Sequence, residues 1–237
     1  MSNSTNVQTK VCIFDVDGTI LDTETLYTEA INSALEEYGQ VMKLETKLKM
    51  MGRDSISATK ILLEDTKIPL TCEEFISKVD VFKNKVFKNT QFLAGAEKLI
   101  RHLYDCKIPI AIATSSAKNF FELKITNHKD LFSLFGQNIT CGDDPAVKNP
   151  KPNPDIYLLA KDRLGLAQVD PSECLVFEDA VNGVKSGVNA NMNVVWIPDL
   201  RFCELADIPS HKHGASKVIT SLEDFLPEHF GLPPYKI

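Results

Sequence analysis

The nine residues Val-Cys-Ile-Phe-Asp-Val-Asp-Gly-Thr, at positions 11–19, decide the fold class of this chain. The run Val11–Phe14 is apolar throughout, which is typical of a parallel strand that is buried on both faces. Two carboxylates, Asp15 and Asp17, follow at once, and Gly18 permits a tight turn behind them. The stretch therefore predicts a buried strand with acidic groups at its carboxyl end.

Short apolar runs of the same kind recur along the chain, with helical patterns between them. The runs predict further strands at Ile108–Ala113, Asn138–Cys141, Cys174–Phe177 and Asn193–Ile197. The helical patterns lie at Ala96–Asp105, Asn119–Thr126, Pro154–Leu164 and Ala180–Val188. Because strand and helix alternate, the sequence predicts an α/β fold in which a parallel sheet carries helices on both sides.

The segment between Asp22 and Phe92 departs from this alternation, since it shows helical spacing and no convincing strand. One set of positions would share a single helix face: Leu26, Ala30, Ala34 and Tyr38. A second set predicts another helix: Ile56, Ala58, Lys60, Leu62 and Leu63. A helical segment of this length, inserted after the first strand, predicts a small second domain.

The predicted domain organisation has three parts. Residues 1–9 are expected to form a flexible tail, residues 10–21 and 94–237 a core, and residues 22–93 an inserted helical domain. The two crossings between core and insertion are the predicted hinges.

The composition fits a globular protein. Of the 237 residues, 43% are hydrophobic and 24% are charged, which argues against a disordered or low-complexity chain. The formal net charge is -6 and no dense run of Lys and Arg offsets it, so a nucleic-acid partner is not expected. No stretch approaches the roughly 18 apolar residues of a membrane span, so no membrane partner is expected either.

The expected location is the cytoplasm, and the nucleus is compatible with the same features. The first ten residues lack the apolar core of a signal peptide. Six cysteines are scattered without a CxxC pair, which favours reduced thiols. The acidic surface and the internal insertion make a monomer the expected state.

Polar residues close the predicted strands. Thr114 and Ser115 follow one strand, Glu178 and Asp179 follow another, and Lys151 lies in a Pro-rich loop. In open α/β sheets the ligand lies beyond the carboxyl ends of the strands. We therefore expect these groups to meet the two aspartates of the first strand in one crevice.

Four carboxylates, several hydroxyls and one ammonium predict the chemistry of this crevice. Carboxylates gathered without partners repel one another and raise their own pKa values. A divalent cation relieves that repulsion, and an all-oxygen ligand set suits Mg²⁺, which keeps several waters and also takes a substrate phosphate. Hydroxyls and Lys151 can bind the remaining phosphoryl oxygens. The sequence thus predicts a Mg²⁺-dependent phosphate-ester site.

The two aspartates of the first strand divide the predicted chemistry. Asp15, directly after the apolar run, is expected to act as the nucleophile that forms an aspartyl phosphate. Asp17 is expected to protonate the leaving oxygen and then to accept a proton from the attacking water. Thr114, Ser115 and Lys151 are the expected contacts to the substrate phosphate.

Each feature alone has an ordinary structural explanation. The Asp-rich loop could be a turn, Glu178-Asp179 a helix N-terminus and Thr114-Ser115-Ser116 an N-cap. Lys151 could be a solvated loop charge, and Arg53, in the insertion, could be either a solvated side chain or a further contact to substrate. Because the core motifs occur together, in order and each at a strand end, they favour an active site.

Four motifs, in this order, resemble those of the haloacid dehalogenase superfamily: FDVDGT, Thr114, Lys151-Pro152 and Glu178-Asp179. The helical insertion is similar to the type-1 cap of that superfamily. The resemblance implies a Rossmann-like core, Mg²⁺ dependence and phosphoryl transfer through Asp15. It also implies a metal site made of Asp15, the main-chain oxygen of Asp17, Asp179 and Glu178. An acid at position 17 points to the phosphatases and phosphomutases of the superfamily.

A more specific resemblance covers about residues 10 to 200, the insertion included. Five stretches are similar to the eukaryotic pseudouridine-5'-phosphatase group: GRDSISATKILLE, FELKITNHKDLFSLF, GDDPAV, KPNPDIY and CLVFEDAVNGVKSG. This resemblance implies a phosphomonoester hydrolase for a small sugar- or nucleotide-type phosphate, with pseudouridine 5'-phosphate as the leading candidate. A phosphomutase of the β-phosphoglucomutase type and a catalytically inactive binding protein on the same fold stay open as alternatives.

Two positions depart from the pattern of these relatives. Pro150 precedes Lys151 where relatives usually have Gly, which stiffens the loop that carries the lysine. Asn191 stands where relatives have Gly. Because Asn is the non-glycine residue that best tolerates a left-handed backbone, the turn at Asn191 is expected to survive.

Overall fold

The computed structural model describes residues 8–50, 55–202 and 212–236. Its strands, in chain order, are β1 (Val11–Phe14), β2 (Leu21–Asp22), β3 (Gln91–Phe92), β4 (Ile110–Thr114), β5 (Ile139–Cys141), β6 (Cys174–Glu178), β7 (Asn193–Trp196) and β8 (Lys217–Val218). Within the described residues, six of them form one parallel sheet in the order β5-β4-β1-β6-β7-β8. The predicted α/β fold with a Rossmann-like parallel sheet is therefore confirmed.

The helices alternate with the strands of the sheet except between β2 and β3. They are α1 (Glu24–Glu36), α2 (Leu44–Met50), α3 (Ser55–Thr66), α4 (Cys72–Val86), α5 (Ala96–Asp105), α6 (Lys118–Lys124), α7 (Lys129–Phe132), α8 (Asp155–Arg163) and α9 (Val181–Asn189). A short 3-10 helix, Phe87–Asn89, follows α4. None of the helices in the described ranges combines the length and the apolar character that a membrane crossing requires.

The sheet buries both of its faces, which explains why its strands lack polar alternation. On β1, Cys12 and Phe14 point into one core cluster, together with the apolar side of α5. Val11 and Ile13 point into a second cluster on the opposite face, against α8 and α9. Because successive side chains of a strand point to opposite faces, an unbroken apolar run is what a sheet covered on both sides needs.

The predicted strand at Ile108–Ala113 is shifted along the chain. β4 begins two residues later and ends on Thr114. Pro109 has no N–H to donate to a ladder, although its carbonyl accepts a hydrogen bond from the Cys12 N–H at 3.0 Å. The shift places Thr114 on the last position of the strand, and β6 likewise ends on Glu178.

The helices α1 to α4 gather around an apolar cluster of their own. The predicted face of α1 is confirmed, since Ala30 and Ala34 are buried and both Leu26 and Tyr38 pack against the cluster. The second predicted helix is confirmed as α3. Its buried residues are Thr59, Leu62 and Thr66, whereas Ile56 is exposed. The buried stripe contains two threonines, which a count of apolar residues does not register.

The chain crosses between the sheet and these four helices through a small antiparallel ribbon that the sequence did not predict. Leu21 pairs with Phe92, and Asp22 pairs with Gln91, so the two crossings lie side by side. Arg201, in the loop after β7, donates to both carboxylate oxygens of Asp22 at 2.9 and 3.0 Å. We call residues 22–93 the helical insertion. The division of the chain into separate domains at its ends stays a prediction, and most of the predicted tail lies outside the described residues.

Candidate active site

The loop after β1 brings the Asp-rich motif against β6. The Asp15 N–H donates to the Phe177 carbonyl at 3.0 Å, which extends the ladder by one residue. The loop then turns back at Gly18, whose φ is 82° and whose N–H donates to the Leu21 carbonyl at 2.9 Å. A Cβ at Gly18 would lie 2.4 Å from Asp179 Oδ2. Glycine is therefore needed here both for the positive φ and for the approach of Asp179.

Lys151 connects two of the predicted carboxylates. Its Nζ lies 2.7 Å from Asp15 Oδ1 and 2.7 Å from Glu178 Oε1, and it donates to the Ala113 carbonyl at 3.0 Å. The lysine side chain and both carboxylates are buried. Pro150 has thus not moved the lysine away from the strand ends.

Glu178 is fixed by three donors. Besides Lys151, the Tyr157 hydroxyl donates to Oε1 at 2.9 Å and the Ala180 N–H donates to Oε2 at 2.9 Å. Tyr157 is fully buried on α8. These bonds hold the Glu178 carboxylate in one orientation at the end of β6.

Three carboxylates form a cluster that fits a metal ion. Asp15, Glu178 and Asp179 each offer an oxygen atom, and these atoms lie within 4.8 Å of one another. Thr19 Oγ1 donates to Asp179 at 3.2 Å, but Lys151 is the cation that the described ion pairs place in the cluster. Three carboxylates and one ammonium leave a formal charge of about -2. A hard divalent cation with oxygen ligands would compensate this buried charge.

Two carboxylates of this cluster have raised pKa values, because they are buried and lie beside other carboxylates. Burial raises the pKa of Asp15 to about 7, against the lowering effect of Lys151 and with further raising by Glu178 and Asp17. Burial, followed by the charges of Glu178 and Asp15, raises the pKa of Asp179 well above its usual value. A cation bound between these groups would favour their ionised forms.

This arrangement predicts a pH-dependent stability for the metal-free protein. The folded Asp15 holds its proton up to about pH 7, whereas its usual pKa is 3.8. The native state therefore binds more protons in this window, and its stability falls as the pH rises. Relative to the wild type, Asp15→Asn should gain roughly 2–3 kcal/mol between pH 5 and pH 8. Urea unfolding in EDTA at both pH values measures this change, and an unchanged difference would contradict the assignment.

Asp17 faces a separate set of partners beneath α6. Lys124 Nζ contacts its Oδ1, Ser116 Oγ donates to Oδ2 at 2.7 Å, and Thr114 Oγ1 donates weakly to Oδ2 at 3.4 Å. Burial alone would raise the pKa of Asp17, but the charge and hydrogen bond of Lys124 and the hydrogen bond of Ser116 lower it. The pKa values of Asp15 and Asp17 are thus shifted in opposite directions in the metal-free protein, and a divalent cation bound at the cluster would lower the pKa of Asp15.

The carboxylates border a cavity of about 650 Å³ that lies between the sheet and the helical insertion. Asp15, Asp17, Ser115, Lys151, Glu178 and Asp179 line its floor. The insertion contributes apolar side chains, among them Tyr27, Ile31, Met42, Leu62, Phe75 and Val79, and also the charged Glu24, Lys47, Asp80 and Lys83. The cavity is therefore polar at the strand ends and mixed on the opposite wall, where apolar and charged side chains both face it.

The structure brings most of the predicted site residues together. Thr114 lies near Asp17, and Ser115 is exposed at the cavity. Arg53, the predicted contact from the insertion, lies outside the described residues.

Ser116, which follows the same strand as Thr114 and Ser115, was expected at the crevice with them and lies there, but two contributors to the site were not predicted: Lys124 and Tyr157. Lys124 occupies the last turn of α6, where a lysine ordinarily answers the helix dipole in solvent. The one available signal was its spacing of three residues from the buried Phe121.

The sequence profile described as haloacid dehalogenase-like hydrolase matches residues 12–197. The chain belongs to this family. A Drosophila melanogaster protein named "Probable pseudouridine-5'-phosphatase" is 40% identical over 99% of this chain and 99% of its own length. The Arabidopsis thaliana "(DL)-glycerol-3-phosphatase 2" is 42% identical over 94% of this chain and 92% of its own length.

The fold agrees with the solved structures of the family. A HAD family hydrolase from Deinococcus radiodurans R1, with bound phosphate and sodium, superposes with a TM-score of 0.74 at 24% identity. The match covers 97% of this chain and 100% of the other. The relatives named above carry phosphatase names, and this chain matches them over nearly their whole length. The protein is therefore a phosphatase of the haloacid dehalogenase-like family.

Proposed function

We propose that the protein is a Mg²⁺-dependent phosphatase that hydrolyses a small sugar- or nucleotide-type phosphomonoester through an aspartyl phosphate on Asp15. The observation that carries this proposal is the pairing of Lys151 with Asp15 and Glu178 inside a net negative cluster at the strand ends. The Lys151 ammonium partly neutralises the Asp15 carboxylate. The negative charge that remains in the cluster favours the binding of a divalent ion. The sequence-based expectations of a monomer in the cytoplasm are kept as parts of the proposal.

Pseudouridine 5'-phosphate is the leading substrate candidate. The Drosophila relative carries that activity in its name, whereas the Arabidopsis relative is named for glycerol 3-phosphate. The apolar part of that wall, with Tyr27, Met42 and Phe75, suits the flat face of a base, and the charged side chains beside it can bind polar groups of the same substrate. We propose that the helical insertion acts as a cap that contributes this wall and excludes water from the reaction.

The metal site of the proposal consists of Asp15, the main-chain oxygen of Asp17, Asp179 and Glu178. A divalent ion bound there would reduce the repulsion between the Asp15 carboxylate and the substrate phosphate. Asp179 supports this assignment because burial and the charges of Glu178 and Asp15 raise the pKa of its carboxylate well above its usual value.

In the proposed mechanism, an Asp15 carboxylate oxygen attacks phosphorus while the bond between phosphorus and the ester oxygen breaks. Asp17 must first take up a proton, against the lowering effect of Lys124 on its pKa, and it then gives that proton to the leaving oxygen so that the alcohol departs neutral. A water molecule then attacks the phosphoryl group on Asp15, and Asp17 takes up the proton that the water loses. Inorganic phosphate leaves and both aspartates return to their initial states. Lys151, Thr114, Ser115 and Arg53 are the proposed contacts to phosphoryl oxygens and substrate.

This mechanism predicts that the effect of Asp17→Asn on turnover depends strongly on the leaving group. Turnover of an alkyl phosphate should fall by about 100-fold or more, because an alkoxide is a poor leaving group without a proton donor. With p-nitrophenyl phosphate, the rate of the first step, the transfer of the phosphoryl group to Asp15, should fall much less, since nitrophenolate leaves without protonation. The initial burst of nitrophenolate measures that step. Equal losses of the first step on both esters would contradict the assigned role.

The proposed function is tested by incubating the purified protein with Mg²⁺ and a panel of esters: pseudouridine 5'-phosphate, uridine monophosphate, flavin mononucleotide, hexose phosphates and glycerol phosphate. Asp15→Asn and EDTA provide the controls. Release of phosphate that depends on both Asp15 and Mg²⁺ supports the proposal, and the ranking of esters identifies the substrate class. Isomerisation without phosphate release would instead indicate a phosphomutase. Release that survives in Asp15→Asn would overturn the mechanism.

A further inference from the structure

Lys124 is a fully buried lysine beside the proposed acid. Its Nζ contacts Asp17 Oδ1 and donates to Ser116 Oγ at 2.7 Å and to the Tyr27 hydroxyl at 3.0 Å. The same ammonium lies 4.9 Å from the ring centroid of Tyr27 and 4.7 Å from that of Phe87. It is therefore enclosed by one carboxylate, two hydroxyls and the aromatic side chains of Tyr27 and Phe87.

These partners belong to different parts of the chain. Lys124 and Ser116 lie on or just before α6, which follows a strand of the sheet. Tyr27 lies on α1 and Phe87 follows α4, so both rings belong to the helical insertion. Asp17 lies in the loop after β1. One ammonium thus joins the proposed acid to the wall that closes the cavity.

Burying the charged ammonium of Lys124 is unfavourable, so a role limited to filling space does not explain a lysine at this position. Desolvating an ammonium costs several kcal/mol, and an apolar side chain of similar volume is often equally stable or more stable at such a position. Cation–π attraction to the Phe87 ring offsets part of that cost. Of the polar contacts named above, two lead to Asp17, directly or through Ser116, whose hydroxyl accepts from Lys124 and donates to Asp17 Oδ2, and the third leads to the Tyr27 hydroxyl.

We propose that Lys124 is a positioning residue that holds the Asp17 carboxylate in its working orientation and ties that orientation to the position of the helical insertion through Tyr27. With both oxygens of Asp17 engaged by Lys124 and Ser116, rotation of the carboxylate about its side chain is restrained. Displacement of the insertion would remove the Tyr27 hydroxyl and both rings from the ammonium. The inference rests on the proposed role of Asp17 as the acid and base.

The test compares Lys124→Met, Asp17→Asn and the double variant on p-nitrophenyl phosphate and on the best alkyl phosphate of the panel. We expect Lys124→Met to lower kcat on the alkyl ester by about 100-fold, with KM changed by less than about threefold and a much smaller loss of the nitrophenolate burst. In the Asp17→Asn background, the same substitution should cost less than about twofold, because the residue that it positions no longer transfers a proton.

Lys161→Met is the matched control, since it also removes a buried lysine but on α8, away from the cavity lining. It should leave the ratio of the two ester rates unchanged. Tyr27→Phe removes one hydroxyl from Lys124 and keeps the ring. It should lower the rate on the alkyl ester by about fivefold, with a much smaller loss of the nitrophenolate burst. It tests the inference in place of Lys124→Met if that variant does not fold.

Equal losses on both esters, or losses that multiply in the double variant, would overturn the inference and leave Lys124 with a structural role alone. Failure of the proposed function looks different. In that case the wild type itself would release no phosphate in an Asp15-dependent manner, whatever the residue at position 124.

Discussion

Asp15→Asn is expected to lower kcat by about 10⁴-fold or more while the protein stays folded. The amide cannot attack phosphorus as a carboxylate does, so the covalent step is lost. The isosteric side chain still fills the buried space beside Lys151, which keeps its ion pair with Glu178. Phosphate release measures the first effect, and circular dichroism with a thermal melt measures the second.

Asp162→Asn is a suitable control for Asp15→Asn, because Asp162 is an exposed carboxylate on α8. It should retain the wild-type rate. If Asp15→Asn kept more than about a tenth of the wild-type kcat, the nucleophile would have to be another group. If it unfolded, the loss of turnover would say nothing about chemistry, and the nucleophile would then be sought by trapping a phosphorylated aspartate in the wild type.

Gly183→Ala is expected to have the second large effect. Gly183 lies in the first turn of α9, and a Cβ there would fall 1.6 Å from Glu178 Oε1 and 1.9 Å from its Cδ. Glu178 cannot move aside freely, since Lys151, Tyr157 and the Ala180 N–H hold its carboxylate. We expect a loss of kcat of about 100-fold or more at saturating Mg²⁺, with a weakened dependence on Mg²⁺, because the cluster of carboxylates is displaced.

Gly187→Ala, one turn further along α9, is the matched control. A Cβ at Gly187 would lie 2.7 Å from the Val194 side chain, in the core and away from the carboxylates. It should cost about 1–3 kcal/mol of stability through overpacking but leave kcat of the folded protein within about threefold of the wild type. Similar kcat losses in the two variants would mean that Gly183 acts through the packing of α9 and not through Glu178.

The strand ends of the site were predictable because the carboxyl ends of parallel strands meet at one edge of a sheet. Asp15, Lys151 and Glu178 converge for that reason, although Lys151 and Asp15 are 136 residues apart. The backbone at Asn191 was predictable as well, and its φ of 58° is the left-handed conformation expected there.

What could not be predicted depends on contacts between distant segments. The two-residue strands β2 and β3 are too short to show any periodicity, and they exist because the two crossings pair with each other. The burial of Lys124 is hidden for a similar reason. A lysine on a short helix is ordinarily exposed, and only the arrival of Asp17, Tyr27 and Phe87 from elsewhere in the chain makes an enclosed ammonium favourable.

The side-by-side crossings also bear on how such an enzyme can change over evolutionary time. Because Leu21 pairs with Phe92, the chain leaves and re-enters the region of the sheet at neighbouring points. The closure entropy of the intervening segment grows only slowly with its length, so residues can be gained or lost there at little cost to the rest of the fold. The helical segment is in this sense an exchangeable module. Under the proposed function, selection can remodel the wall of the cavity that the insertion contributes while the carboxylates at the strand ends are inherited unchanged.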